Sequence, residues 1–102
     1  MIVRILPEVE EDLYQAVLWY EDRESGLGLE LLGAYDVARL SIEEQADRLP
    51  RLETERTNRE IRRIFLKRFP YMVVFEVLPH EVVILAVAHF SQKPNYWSRR
   101  SI

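Results

Sequence analysis

Ile61 to Phe90, IRRIFLKRFPYMVVFEVLPHEVVILAVAHF, is the stretch that decides the fold. It divides into three β-branched and aromatic runs, IRRIFLKRF, YMVVFEVL and EVVILAVAHF, cut at Phe69-Pro70 and at Pro79-His80. Such runs read as strands, and turn-sized gaps between consecutive strands make them pair antiparallel. Side chains alternate across a strand, so Tyr71, Val73, Phe75 and Val77 share one face, and Met72, Val74 and Leu78 the other. In the last run Val83, Leu85 and Val87 oppose Val82, Ile84, Ala86 and Ala88 on the same rule. A sheet with one solvated face alternates apolar with polar residues, and these runs hardly do. Both faces therefore need cover.

Toward the N-terminus, RLETERTNRE (51–60) is polar and reads as a loop. A helix is expected before it, from about Leu29 to Arg48, with Leu32, Tyr35, Ile42 and Leu49 near its inner face and Pro50 after its end. EDRESGLG breaks the helical pattern, and Gly26 and Gly28 are available there for positive φ. Upstream again, Val9, Leu13, Ala16, Val17 and Tyr20 form an amphipathic helical stripe, widened by Trp19. Pro7 suits the first turn of that helix, where Glu8, Glu10, Glu11 and Asp12 face its positive end. MIVRIL opens the chain as a short strand.

The fold class that results is α+β. It has an N-terminal strand, a two-helix hairpin, a three-stranded antiparallel meander completing the sheet, and a short C-terminal helical tail. One domain over residues 1–102 is expected from the length. The hairpin can cover one sheet face. Only PNYWSRR remains for the other, so that segment and a partner chain are both expected to contribute.

Composition closes several routes. The chain has no cysteine, which excludes disulfides, thiolate metal sites and cysteine nucleophiles. His80 and His89 are its two histidines and have no metal-ligand spacing, so neither a metal nor a cofactor is expected. The first twelve residues carry too short an apolar run for a signal segment or a membrane span, and the reading is a cytoplasmic protein without a membrane partner. The net charge of −3 hides a division, because residues 1–50 balance to −8 and residues 51–102 to +5. Two differently charged faces suggest different partners for each.

The closing AHFSQKPNYWSRR (88–100) gathers a histidine, a proline able to open a short helix, a Tyr-Trp pair and two arginines. Tyr96 and Trp97 read as anchors that bury their rings and dock the tail on the sheet. His89 at a strand end fits a hydrogen-bonded structural residue, though an imidazole can also act as a general acid or base.

DLYQAVLWYED, the GLG turn, IRRIFLKRFPYMVVFEV and AVAHFSQKPNYW together resemble the RelE/ParE superfamily of bacterial type II toxin–antitoxin toxins. RRIFLKRFPY and the His89…Pro94…Tyr96-Trp97 spacing carry most of the likeness. The resemblance implies a first strand lying beside the last. It also implies a cognate antitoxin in a hetero-oligomer. Two activities occur in the family. RelE-like members cleave messenger RNA on the ribosome, and ParE-like members poison DNA gyrase.

Carried onto this sequence, RNA cleavage would call on His89 and Tyr96 as catalytic groups. Arg62, Arg63, Lys67 and Arg68 would supply cations from the second strand of the chain. In the RelE-like branch an arginine follows the last strand and a tyrosine lies six residues further on. Tyr96 matches the tyrosine, but Phe90 stands at the arginine position, with Gln92 and Lys93 as its neighbours. That removes a phosphate-stabilising charge. A pI of 5.4 also suits a ribosomal RNA surface poorly. Arg62, Arg63, Lys67, Arg68, Lys93 and Trp97 are then expected to contact target or antitoxin. The expectation is a gyrase inhibitor of the growth-arrest, plasmid-stabilisation kind, with RNA cleavage and a non-toxic antitoxin partner as alternatives.

Overall fold

A computed structural model describes residues 2–52, 58–93 and 95–100. Pro94, expected to open the tail helix, lies outside them, as does the centre of the polar loop after Leu52. Strand β1 (Ile2–Ile5) leads into helix α1 (Pro7–Arg23) and helix α2 (Leu27–Gln45), followed by a 3-10 turn over Ala46–Arg48. Strands β2 (Ile61–Phe65), β3 (Tyr71–Val77) and β4 (Glu81–His89) follow, and a second 3-10 turn covers Tyr96–Arg99. The sheet order is β1-β4-β3-β2, with β1 parallel to β4 and the other pairs antiparallel. The α+β expectation, including the first strand beside the last, holds.

The helix hairpin is set by its caps. Pro7 occupies the first turn of α1 as the sequence indicated, with Glu8 and Glu10 at the positive end. Gly26, at φ 92°, starts α2 and has no side chain to cap it. The Glu21 carboxylate does so from the neighbouring helix, accepting the Gly26 and Gly28 N–H groups at 2.8 and 2.9 Å. Those bonds hold its pKa below the ordinary glutamate value. Gly28 lets the helices approach closely, since a Cβ there would come within 2.9 Å of Val17 Cγ1 and 3.0 Å of the Val17 carbonyl.

Several boundaries differ from expectation. Helix α2 begins at Leu27 rather than Leu29, because Glu21 supplies a cap that local sequence does not show. Its inner face is Leu31, Tyr35, Ala38 and Ile42, and Leu32 is only half-buried. The α-helix stops at Gln45, whose backbone leaves the helical region, and the last turn tightens to 3-10 before Leu49 extends ahead of Pro50. Strand β2 ends at Phe65. Lys67 and Arg68 fall in the following turn, where Arg68 takes a φ of 70°. Trp19 does not widen the buried stripe of α1 but stays half exposed beneath the Arg23 guanidinium.

The sheet core runs through β3 and β4, with Val73 to Phe75 and Val82 to Ala88 buried. Simple alternation fails along β4 because Val74 pairs with Ala86 whereas Phe75 pairs with Ile84. Leu85 is the extra residue of a β-bulge. The register therefore puts Val82, Ile84, Val87 and His89 on one face with Val77, Phe75, Val73 and Tyr71, the face that meets α1. The opposite face carries Glu81, Val83, Ala86 and Ala88, with Met72, Val74 and Glu76.

The C-terminal segment covers part of that opposite face. Trp97 is buried within the core. Glu76, a buried carboxylate in an apolar strand, is held by Arg59 at 2.9 Å, and Arg59 also donates to the Ser98 carbonyl. β1 pairs with β4 only as far as Ile84, which leaves the next backbone groups on that edge without a strand. Asp12 accepts the Val87 N–H at 2.9 Å, and Arg100 donates to the Leu85 carbonyl at 2.8 Å. Asp12 and Arg100 pair with each other at 2.7 and 2.9 Å, clamping the tail to α1 across the strand edge.

Candidate functional site

Two surfaces concentrate chemistry. The first is a cleft of about 480 Å3 between α1 and the end of β4. Helix α1 lines it with Glu11, Asp12, Gln15, Trp19 and Tyr20, and the sheet side with Tyr71, His89, Ser91 and Gln92. The rings make a chain of edge-to-face neighbours: Trp19–Tyr20 at 4.8 Å, Tyr20–Tyr71 at 6.2 Å and Tyr71–His89 at 4.9 Å. His89 Nδ1 receives the Ser91 N–H at 2.9 Å and lies 2.7 Å from Ser91 Oγ. In the neutral ring the hydrogen is thereby assigned to Nε2. Gln92 Oε1 takes the His89 backbone N–H at 2.7 Å, so the whole turn is tied to the histidine.

The second surface lies on the face away from the helices. Phe65 and Phe90 meet edge-to-face at 5.3 Å, and each remains about half exposed, at 50% and 55%. The Arg63 guanidinium sits 4.1 Å from the Phe65 ring centre. Arg63, Lys67 and Lys93 make no ion pair among the described residues. This is the end of the face that the tail leaves open.

The cations named from sequence do not come together. Arg62 is turned inward, pairing with Glu60 at 2.9 Å and donating to the Leu49 carbonyl. That bond ties β2 to the end of the helical layer. Arg68 pairs with Glu30 at the start of α2. Lys67 and Lys93 are exposed in their turns. His89 belongs to the cleft, whereas Phe90 and Arg63 belong to the opposite face.

Tyr96 is half-buried beside the clamp, with the Arg100 guanidinium 5.1 Å from its ring centre. Its hydroxyl is buried; Gln92 and Arg100 approach it but neither closes a hydrogen bond of normal geometry. Burial, then the charge of Asp12, push its pKa up, so the phenol stays protonated at neutral pH. Asp12, Arg59 and Glu76 were missed as fixing residues. The only sequence signal was Glu76, an acid inside the apolar run YMVVFEV. The Asp12–Arg100 contact joins residues at opposite ends of the chain, and no local pattern announces it.

No family model and no curated protein matches the chain. A solved chain of the chromosomal ParDE TA system from P. aeruginosa does, with a TM-score of 0.74 over 87% of this chain and 95% of that one, at 18% identity. The two chains share their fold, the α+β architecture described above. At this identity the likeness resides in the arrangement of strands and helices. In this frame, both candidate surfaces lie at the same end of the sheet, where β4 runs out and β3 begins. Among the described residues, no helix of this fold is long and apolar enough to cross a membrane.

Proposed function

We propose that this chain is the toxin of a type II toxin–antitoxin module, that it inhibits DNA gyrase by binding it, and that a cognate antitoxin neutralises it. The fold it shares with a chain of the P. aeruginosa ParDE system supports the toxin assignment. The observation that carries the choice of mechanism is Phe90. Where the RNA-cleaving branch places an arginine, this chain presents a half-exposed ring packed on Phe65. Phosphoryl-transfer chemistry on RNA needs cations converging on the reacting phosphate. Here Arg62 and Arg68 are engaged elsewhere, and Arg100 is spent on Asp12 and Leu85. An aromatic pair flanked by Arg63 suits protein contact instead.

The antitoxin reading draws on the outer surface of the hairpin. Tyr14, Leu18, Leu29, Val37 and Leu40 are each about half or more exposed there. A surface this apolar expects cover, and a wrapping antitoxin would bury on the order of 2,000 Å2 or more. RNA cleavage is the second reading, favoured by the match of Tyr96 to that branch's tyrosine, with His89 as its partner.

Induced expression in a bacterium separates these readings. Gyrase inhibition gives filamentation with DNA-damage signalling, and co-expression of the neighbouring small reading frame abolishes it. Rapid translation arrest instead moves the assignment to RNA cleavage. Unimpeded growth leaves only a non-toxic antitoxin partner.

A further inference from the structure

We infer that the cleft between α1 and the end of β4 binds a guanidinium group, presented as an arginine side chain by a partner protein. The inference stands on the cleft itself and goes beyond the toxin reading. Four rings line it, Trp19 and Tyr20 from α1 and Tyr71 and His89 from the sheet. Such rings attract cations through their electron-rich faces, and Arg23 already covers one face of Trp19. Carboxylates of α1 stand beside them, and among the described residues no lysine or arginine lines the cleft. Asp12 is already neutralised by Arg100. Glu11 is exposed and accepts only a neutral amide N–H, from Gln15 at 2.8 Å, so its charge faces the cleft uncompensated among the described residues.

A planar, weakly hydrated guanidinium matches this combination better than an ammonium, because it can lie on a ring and still donate in its own plane to a carboxylate. The molecule already shows the contact. Its own Arg23 guanidinium rests 3.2 Å from the Trp19 ring centre. A single side chain entering an open cleft of this kind binds weakly alone, in the millimolar range, and contributes as one anchor of a larger interface.

The test titrates the full chain with N-acetyl-arginine amide, following the Trp19 indole and the Tyr20 and Tyr71 ring signals by NMR. Saturable shifts at these three residues are expected, with N-acetyl-citrulline amide, the neutral near-isostere, at least tenfold weaker and N-acetyl-lysine amide weaker than arginine. Glu11→Gln, at an exposed helix position, is expected to weaken arginine binding by about fivefold, the upper end for an exposed ion pair. Equal binding of the citrulline or lysine compound overturns the inference. So does arginine binding that Glu11→Gln leaves unchanged. A glycine-flanked arginine tripeptide with blocked ends should bind at least as tightly as free L-arginine. The reverse order overturns the partner side chain in favour of a small-molecule site.

Discussion

Truncating Trp97 to alanine should detach the C-terminal segment from the sheet. Trp97 is 2% exposed, and a buried aromatic ring removes roughly 150–250 Å2 from water. At about 25 cal/mol per Å2, that burial is worth about 4–6 kcal/mol. Two effects reduce the observed loss. A released tail recovers conformational entropy, on the order of 1 kcal/mol or more per residue, and the open face partly rehydrates. A further loss acts the other way, because the Arg100–Asp12 clamp and the Arg59–Ser98 bond depend on the docked tail. The net expectation is about 3 kcal/mol, the lower end for a buried large aromatic cut to alanine.

The unfolding entropy of a chain this size, about 0.2 kcal/mol per degree, converts 3 kcal/mol into a Tm drop of roughly 14 °C. Urea unfolding and thermal melts of the purified variant measure it directly. If the tail docks as one unit, Arg100→Met added to Trp97→Ala should cost much less than it does alone. A Trp97→Ala protein that loses under about 1 kcal/mol, or an additive double variant, would refute the docked-tail account.

Three further outcomes follow from the packing. Gly28→Ala should destabilise by about 1–3 kcal/mol, since its Cβ would press on the Val17 backbone, whereas Gly33→Ala, with open space around its Cβ, should stabilise by about 0.5–1 kcal/mol in chemical denaturation. Tyr96→Phe should change stability by less than about 0.5 kcal/mol, because the hydroxyl it removes is buried without a hydrogen bond, and under the gyrase reading it should leave growth arrest intact. Glu21 has a folded pKa below its unfolded one, so its stabilising effect is present above the ordinary glutamate value of 4.5 and is lost as the pH falls toward the folded value. Melting temperature plotted from pH 7 down to about pH 3 should therefore fall less steeply in Glu21→Gln, which lacks the titrating group.

The element order was legible because it rests on local signals. Proline and glycine punctuation, the helical stripe of α1 and the three apolar runs each report on neighbours in sequence. What escaped depends on distant partners. The bulge at Leu85 inverts the alternation of half a strand, and nothing in EVVILAVAHF marks it. Leu31 rather than Leu32 faces the core because it continues the helical stripe of Tyr35, Ala38 and Ile42. Lys67 and Arg68 looked like strand residues because a β-branched and aromatic run carries through them, yet the chain turns there. The candidate site was legible only as separate parts. His89 and Phe90 were visible as adjacent letters, but their assignment to opposite faces, one in a ring-lined cleft and one paired with Phe65, required the register of β3 on β4.

Inhibition by binding, without RNA chemistry, is tested most directly by two reactions run on one preparation. Purified protein is titrated into a DNA gyrase supercoiling reaction, and the same preparation is incubated with translating ribosomes and messenger RNA. Loss of supercoiling with intact messenger RNA is the predicted result. Full supercoiling alongside ribosome-dependent cleavage of the messenger would contradict it.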